Sequence, residues 1–297
     1  MNAYGSRTVT PLAALWFAVF AASTSAILVR WSEAPSSVAA LYRVAFTVAL
    51  VAPVAVVRYR ASFARLSRRD GGFAVLAGVA LAVHFAAWFE SLNHTSVAAS
   101  VTLVQTQPIF VALGAALLLD ERIRWLTAVG IGVAIVGAAT MSFGDAGEAP
   151  LSDATAVGNA LAILGALTLA GYVLAGRSIR QRVPLFPYVT VVYVVCALTL
   201  FVLVGVQGHA YTAYPGREWF LFLAMAIGPG LAGHTVVNWV LEHVESVVVS
   251  VAWLGEPLGS ALLAVALLGE VPDVITVVGG IVVLVGIAVT TVDRERN

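Results

Sequence analysis

The side chains able to do chemistry in this chain are few, and they sit inside long apolar runs. Glu256 lies in the run from 247 to 268, where helical spacing puts Trp253 (i−3) and Ser260 (i+4) on its face. A carboxyl in such surroundings can take up and release a proton. It can equally serve only as a hydrogen-bonding group for backbone that Pro257 leaves unpaired. Gln107 precedes Pro108 in the same way, with Ser100 and Gly114 on its face, and both readings apply to it. His84 shares a face with Trp88 and Ser91; His234 shares one with Gly230 and Asn238, just after Gly228-Pro229-Gly230. Either imidazole can relay protons near neutrality, or merely hydrogen-bond a neighbouring helix. Arg43 is a cation for a carboxylate-bearing substrate, a partner for Glu90, or a side chain that reaches an interface with its head in water. Tyr172, with Gly165 and Thr168, and Trp16, with Phe20 and Ser23, either line a cavity or pack.

Several chemistries are excluded. All sixteen cations are Arg, so a nucleotide-binding loop ending in Gly-Lys-Ser/Thr is impossible and an ATP-driven machine in one chain is ruled out. Cys196 is the only cysteine, which excludes an intrachain disulfide. Inside the apolar runs neither His-x-x-x-His nor carboxylate-histidine spacing occurs, so neither a metal nor another cofactor is expected. An enzyme would need a nucleophile, metal or dyad, and one glutamate with two separated histidines does not make one.

The elements that must position these residues follow from composition. The chain is 60% hydrophobic and 11% charged, with mean hydropathy +0.95. A soluble domain carries about 25% charged residues. Nucleic-acid binding, disorder and a soluble enzyme are excluded on these numbers. Apolar stretches bounded by charge, Pro or Gly fall near 12–30, 38–57, 73–91, 97–118, 125–143, 157–176, 186–206, 219–241, 247–268 and 274–292. Each is close to the ~20 residues a helix needs to cross ~30 Å of hydrocarbon. The first resembles a signal peptide but is too long for one, and the repeat described next requires it. The reading is an all-α membrane protein with ten transmembrane helices and a lipid bilayer for its surroundings.

Arginine sets the orientation. Arg7, Arg58, Arg60, Arg65, Arg68, Arg69, Arg122, Arg124, Arg177, Arg180, Arg182, Arg294 and Arg296 fall on one side, against Arg30 and Arg217 on the other. Cytoplasmic loops carry the excess, so both termini are expected in the cytoplasm and the acidic loop near Asp145, Glu148 and Asp153 outside. The plasma (inner) membrane is the expected location.

Sliding the chain by 149 residues brings Pro108 onto Pro257, Glu121 onto Glu270, His94 onto His243, Thr127 onto Thr276, Gly130 onto Gly279 and Gly137 onto Gly286. Residues 94–139 align with 243–288 without a gap. The units are 1–148 and 149–297, with five spans each. An odd number of spans forces the halves to cross in opposite directions, an inverted repeat of the kind secondary transporters use, with substrate held near the midplane.

The paired segments QPIFVALGAALLLDERI (107–123) and EPLGSALLAVALLGEVP (256–272) resemble the proline-containing fourth and ninth helices of EamA-type proteins in the drug/metabolite transporter superfamily. LYRVAFTVAL, with Arg43, and LAGYVLAGRSI (169–179) resemble that family's second and sixth helices, although Leu169 stands where a tryptophan is often found. The resemblance covers essentially the whole chain. It implies ten helices around a central cavity, helices five and ten packed outside, and transport of amino acids, small metabolites or toxic organics, often outward. A secondary transporter, coupled to protons or to a substrate gradient, is the leading expectation. An uncoupled facilitator or channel for a small solute is the alternative, although no pore-lining charge ring or carbonyl filter is evident.

Overall fold

Proline and apolar residues set the helix starts. Pro35 and Pro184, themselves 149 residues apart, both sit in extended conformation just before a helix, α2 (Ser36–Arg58) and α8 (Leu185–Val206). Their missing N–H costs nothing at a helix start, where that group has no partner. The computed structural model describes residues 5–64, 66–94, 100, 103–119, 121, 123–144, 153–268 and 274–295, and among these there is no strand. The other elements are α1 (Gly5–Trp31), α3 (Arg60–Ala64), α4 (Arg68–His94), α5 (Gln107–Leu118), α6 (Trp125–Gly144), α7 (Asp153–Arg180), α9 (Gly216–Met225), α10 (Val236–Val240), α11 (Ser246–Trp253), α12 (Glu256–Leu268) and α13 (Val274–Glu295). Three starts recur at the same offset: α2 with α8, α5 with α12, and α6 with α13.

Among the described residues, seven helical stretches are long and apolar enough to cross a membrane. Three shorter apolar helices, Gln107–Leu118, Trp125–Gly137 and Val277–Val289, occupy the fourth, fifth and tenth expected positions. Residues 95–99, 101 and 102, near the start of the fourth, lie outside the described set. Large apolar side chains such as Phe17, Val57, Leu117 and Phe220 are more than half exposed, a surface that water would not tolerate. The protein is a multi-pass membrane protein.

One expectation about single spans changes. The stretches around Gln107 and Glu256 are not continuous helices: turns at 105–106 and 254–255, again 149 apart, interrupt them. Gln107 and Glu256 therefore begin new helices, α5 and α12, instead of sitting in mid-helix. The stretch around Gly228-Pro229-Gly230 widens into a π-helix, Ala226–Thr235, between α9 and α10. Pro229 removes one donor from the ordinary ladder, and three glycines keep the wider turns free of side chains. Thr235 Oγ1 donates to the Gly230 carbonyl five residues back, at 3.2 Å. Such insertions favour functional positions.

The repeats interlock. α4 packs along α7, and their counterparts, the α9–π–α10 run and α1, pack on each other. α5 lies on α7, and α12 on α1; α2 lies on α8, and α6 on α13. Exchanging the repeats maps α4–α7 and α5–α7 onto the pairs made with α1, and maps α2–α8 and α6–α13 onto themselves. The most extensive packing is thus between the repeats, not within them.

Polar contacts gather the loops into two ends. At one, Arg182 bonds Asp70 (2.6 Å), Arg177 bonds Glu121 (3.1 Å), and Arg180 bonds Glu242. At the other, Tyr42 donates to the Tyr211 carbonyl (2.5 Å), and Glu218 accepts from Ser32 Oγ (2.5 Å) and the Glu33 amide (3.1 Å). Glu270, the repeat mate of Glu121, lies outside the described residues.

Candidate functional site

A small cavity of about 10 Å³, room for roughly one water, opens where the two repeats meet. It is lined by Arg43, Val44 and Thr47 of α2, Leu81 and Phe85 of α4, Tyr193 of α8, and Gly230 and His234 of the π-helix. Arg43 is 4% exposed, so it does not reach an interface. Its Nη1 donates to Ser25 Oγ at 3.3 Å, and its guanidinium lies over the Phe85 ring, 4.6 Å from the centroid. Glu90, the other partner considered for it, bonds His94 at 3.0 Å.

His234 projects into the same space. Its ring meets Phe85 edge-on at 5.7 Å, Tyr172 at 6.0 Å and Trp253 at 5.0 Å. Its Nδ1 is buried without a hydrogen-bond partner. Four residues on, Asn238 donates through Nδ2 to the His234 carbonyl (2.8 Å) and to the Tyr172 hydroxyl, tying the π-helical run to α7. Asn238 Oδ1 and the Tyr188 hydroxyl are buried without partners, and both lie beside Gly176. Tyr193 completes the wall by bonding Thr235 Oγ1 at 3.1 Å.

Glu256 stands one layer away. Trp253 Nε1 donates to its Oε2 at 2.6 Å, the i−3 contact that helical spacing anticipates, and the Trp253 ring carries the connection to His234. Ser23 of α1 donates to the Glu256 carbonyl (3.0 Å), and Ser260 donates to the Ser23 carbonyl (3.1 Å). The 254–255 turn closes on itself, the Leu254 and Gly255 amides donating to the Val251 and Ala252 carbonyls at 3.0 Å each, and the two serines tie its exit to α1. Gln107 is 2% exposed. Neither it nor Glu256 touches the cavity.

His84 has Nδ1 3.0 Å from the Gly165 carbonyl, a contact between helices α4 and α7, and stacks on Trp88 with centroids 5.9 Å apart. Trp88 Nε1 is buried without a partner. Trp16 stands outside the cluster: it is 44% exposed, with its ring edge against Gly255. α1 turns Leu15, Val19 and Ala22 inward, which leaves Trp16 and Phe20 on its outer face. Reading from sequence overlooked Thr47, Phe85, Tyr193 and Thr235. Thr47 was within reach, since it lies four residues from Arg43 and donates to its carbonyl at 2.8 Å. No group of metal-ligating side chains occurs among the described residues.

Interlocked helical repeats in a membrane, two helices broken at equivalent points and a buried polar cluster where the repeats meet define a membrane transporter. The chain belongs to the EamA-like transporter family, whose model matches residues 10–143 and 156–292. It is similar to the pseudopaline exporter CntI of Pseudomonas aeruginosa, in each of two strains, with 26% identity over 224 residues, 74% of this chain and 75% of that protein. A solved crystal structure of another protein shares its fold, with a TM-score of 0.83 at 19% identity, over 97% of this chain and 98% of that one.

Proposed function

We propose that this protein is a secondary transporter that exports a small metabolite, amino acid or toxic organic compound by alternating access, with protons as the coupling ion. In this reading the chain crosses the plasma membrane ten times, as inverted repeats 1–148 and 149–297, with both termini in the cytoplasm. The observation that carries it is the cavity built by both repeats at once: Arg43, Thr47 and Phe85 from the first, Tyr193 and His234 from the second. A site so built changes access whenever the repeats rock against each other. Arg43 and His234 meet the substrate, while Tyr172 and Asn238 hold the π-helix to α7. Trp253 links Glu256, the proton carrier, to the cavity. His84 and Trp88 stand behind Phe85, on the side toward α7, and Gln107 marks the equivalent break in the first repeat.

Counterflow in proteoliposomes tests the carrier reading. A carrier loaded on one side accelerates uptake of labelled substrate from the other. Uptake that follows its gradient with no such acceleration identifies an uncoupled facilitator or channel instead.

A further inference from the structure

We propose that the transported compound carries a carboxylate, and that Arg43 is the residue that binds it; this rests on the transporter reading above. A guanidinium has five N–H donors arranged as a fork that matches a carboxylate, and it stays charged in any protein setting. Arg43 is 4% exposed, yet among the described residues no carboxylate lies within ion-pair distance, and its one hydrogen bond is the 3.3 Å contact to Ser25. The Phe85 face offsets part of the burial cost but satisfies no donor. Glu256 acts on Arg43 through space but makes no ion pair with it, and its Oε2 accepts from the Trp253 indole at 2.6 Å. Thr47 Oγ1, on the same helix, donates to the carbonyls of Arg43 and Ala226 and does not accept from the guanidinium.

What remains is a buried cation with donors directed at a cavity, which is costly unless something anionic visits it. A second, independent feature points the same way. His234 Nδ1, 6% exposed as a residue and lining the same cavity, is an unpartnered nitrogen that as the neutral Nδ1–H tautomer offers another donor to the same anion. Leu81, Val44 and Phe85 supply an apolar wall for the body of the molecule. The cavity holds only about one water in this conformation, so the ligand enters when the repeats part.

The test uses the full-length protein purified in detergent, with heat unfolding followed in the presence of succinate, glutarate and phenylacetate, each beside its amide, and of choline. Binding to the folded state alone raises the unfolding midpoint. Expected is stabilisation by one or more carboxylates and by none of the amides, with affinity reduced roughly ten- to hundredfold in Arg43→Gln. Arg43→Lys, which keeps the charge and loses the fork, should fall between. Arg43→Gln without ligand should melt at or above the parent temperature, because the substitution removes an unpaired buried charge; a purely structural arginine would lower it. Stabilisation by choline but not by carboxylates, or a carboxylate shift of full size in Arg43→Gln, overturns the proposal. So does a failure of Arg43→Gln to fold while Arg43→Lys binds as tightly as the parent. Counterflow with any solute separates the two claims: its presence for cations alone sinks the carboxylate and leaves the carrier, and its absence for every solute sinks the carrier.

Discussion

Gly137 and Gly286 stand 149 residues apart, and each is fitted against the other's helix. A Cβ on Gly137 would lie 2.5 Å from the Val283 amide nitrogen and 2.8 Å from the Gly279 carbonyl oxygen. A Cβ on Gly286 would lie 2.6 Å from that of Ala134, the repeat mate of Val283. Such reciprocity, i against j and j against i, is what a two-fold relation between halves produces. Adding a methyl at either position forces two backbones apart. Gly137→Ala and Gly286→Ala should each destabilise by roughly 1–3 kcal/mol, seen as a lower unfolding midpoint in detergent. In the double variant the costs should add to less than their sum, since one separation of α6 and α13 relieves both clashes. Two neutral single variants would show that the helices do not approach this closely.

Glu256→Gln keeps an oxygen to accept from Trp253 and removes the titrating proton. The variant should fold, lose pH-dependent uphill transport and retain part of its downhill exchange. Proteoliposomes with an imposed pH gradient give the measurement. Accumulation equal to the parent's, with the same pH profile, would return Glu256 to a hydrogen-bonding role beside Pro257.

Glu121 of the first repeat accepts from Ser246 Oγ (2.8 Å), the first residue of α11 in the second, and from Arg177 (3.1 Å). It supplies a helix start that has no cap of its own. Glu121→Ala should cost roughly 1–3 kcal/mol, because it strands Arg177 and the α11 terminus together. Glu121→Gln should recover part of the loss. Equal melting of both variants and the parent would mean that the contact contributes nothing.

Orientation is accessible to thiol labelling. Cys196 is fully buried and contributes no background. A cysteine at Ala61 should resist a membrane-impermeant reagent in intact cells, and one at Thr212 should react. Labelling in the reverse pattern would place the Arg-rich loops outside.

Much of this architecture was legible because membrane segments announce themselves by hydropathy and because Pro, Gly and Glu recur at a fixed offset. Local relations on one helix face were also readable: Trp253 with Glu256, and His84 with Trp88. Contacts made between helices were not. The bond from Asn238 to Tyr172 joins residues 66 apart, and neither Tyr193 nor Thr235 differs in sequence from a packing residue in an apolar run. Gly228-Pro229-Gly230 signals only that the ordinary ladder fails there. Whether the chain kinks or takes an extra residue per turn depends on what α1 and α2 press against it. Trp16 stayed open to both readings because an aromatic beside small residues suits an inner and an outer face equally well.

The interlocking of the repeats bears on how the protein is made. Ribosomes deliver α1 to α6 first, and α4, α6 and α1 each find their main partner in the half still to be synthesised. The early helices therefore wait in the bilayer, inserted but unassembled, and Glu121 waits with them for α11. Assembly of this chain belongs to its completion, and a ribosome that stops near the midpoint leaves behind an orphan for the cell's quality control to clear.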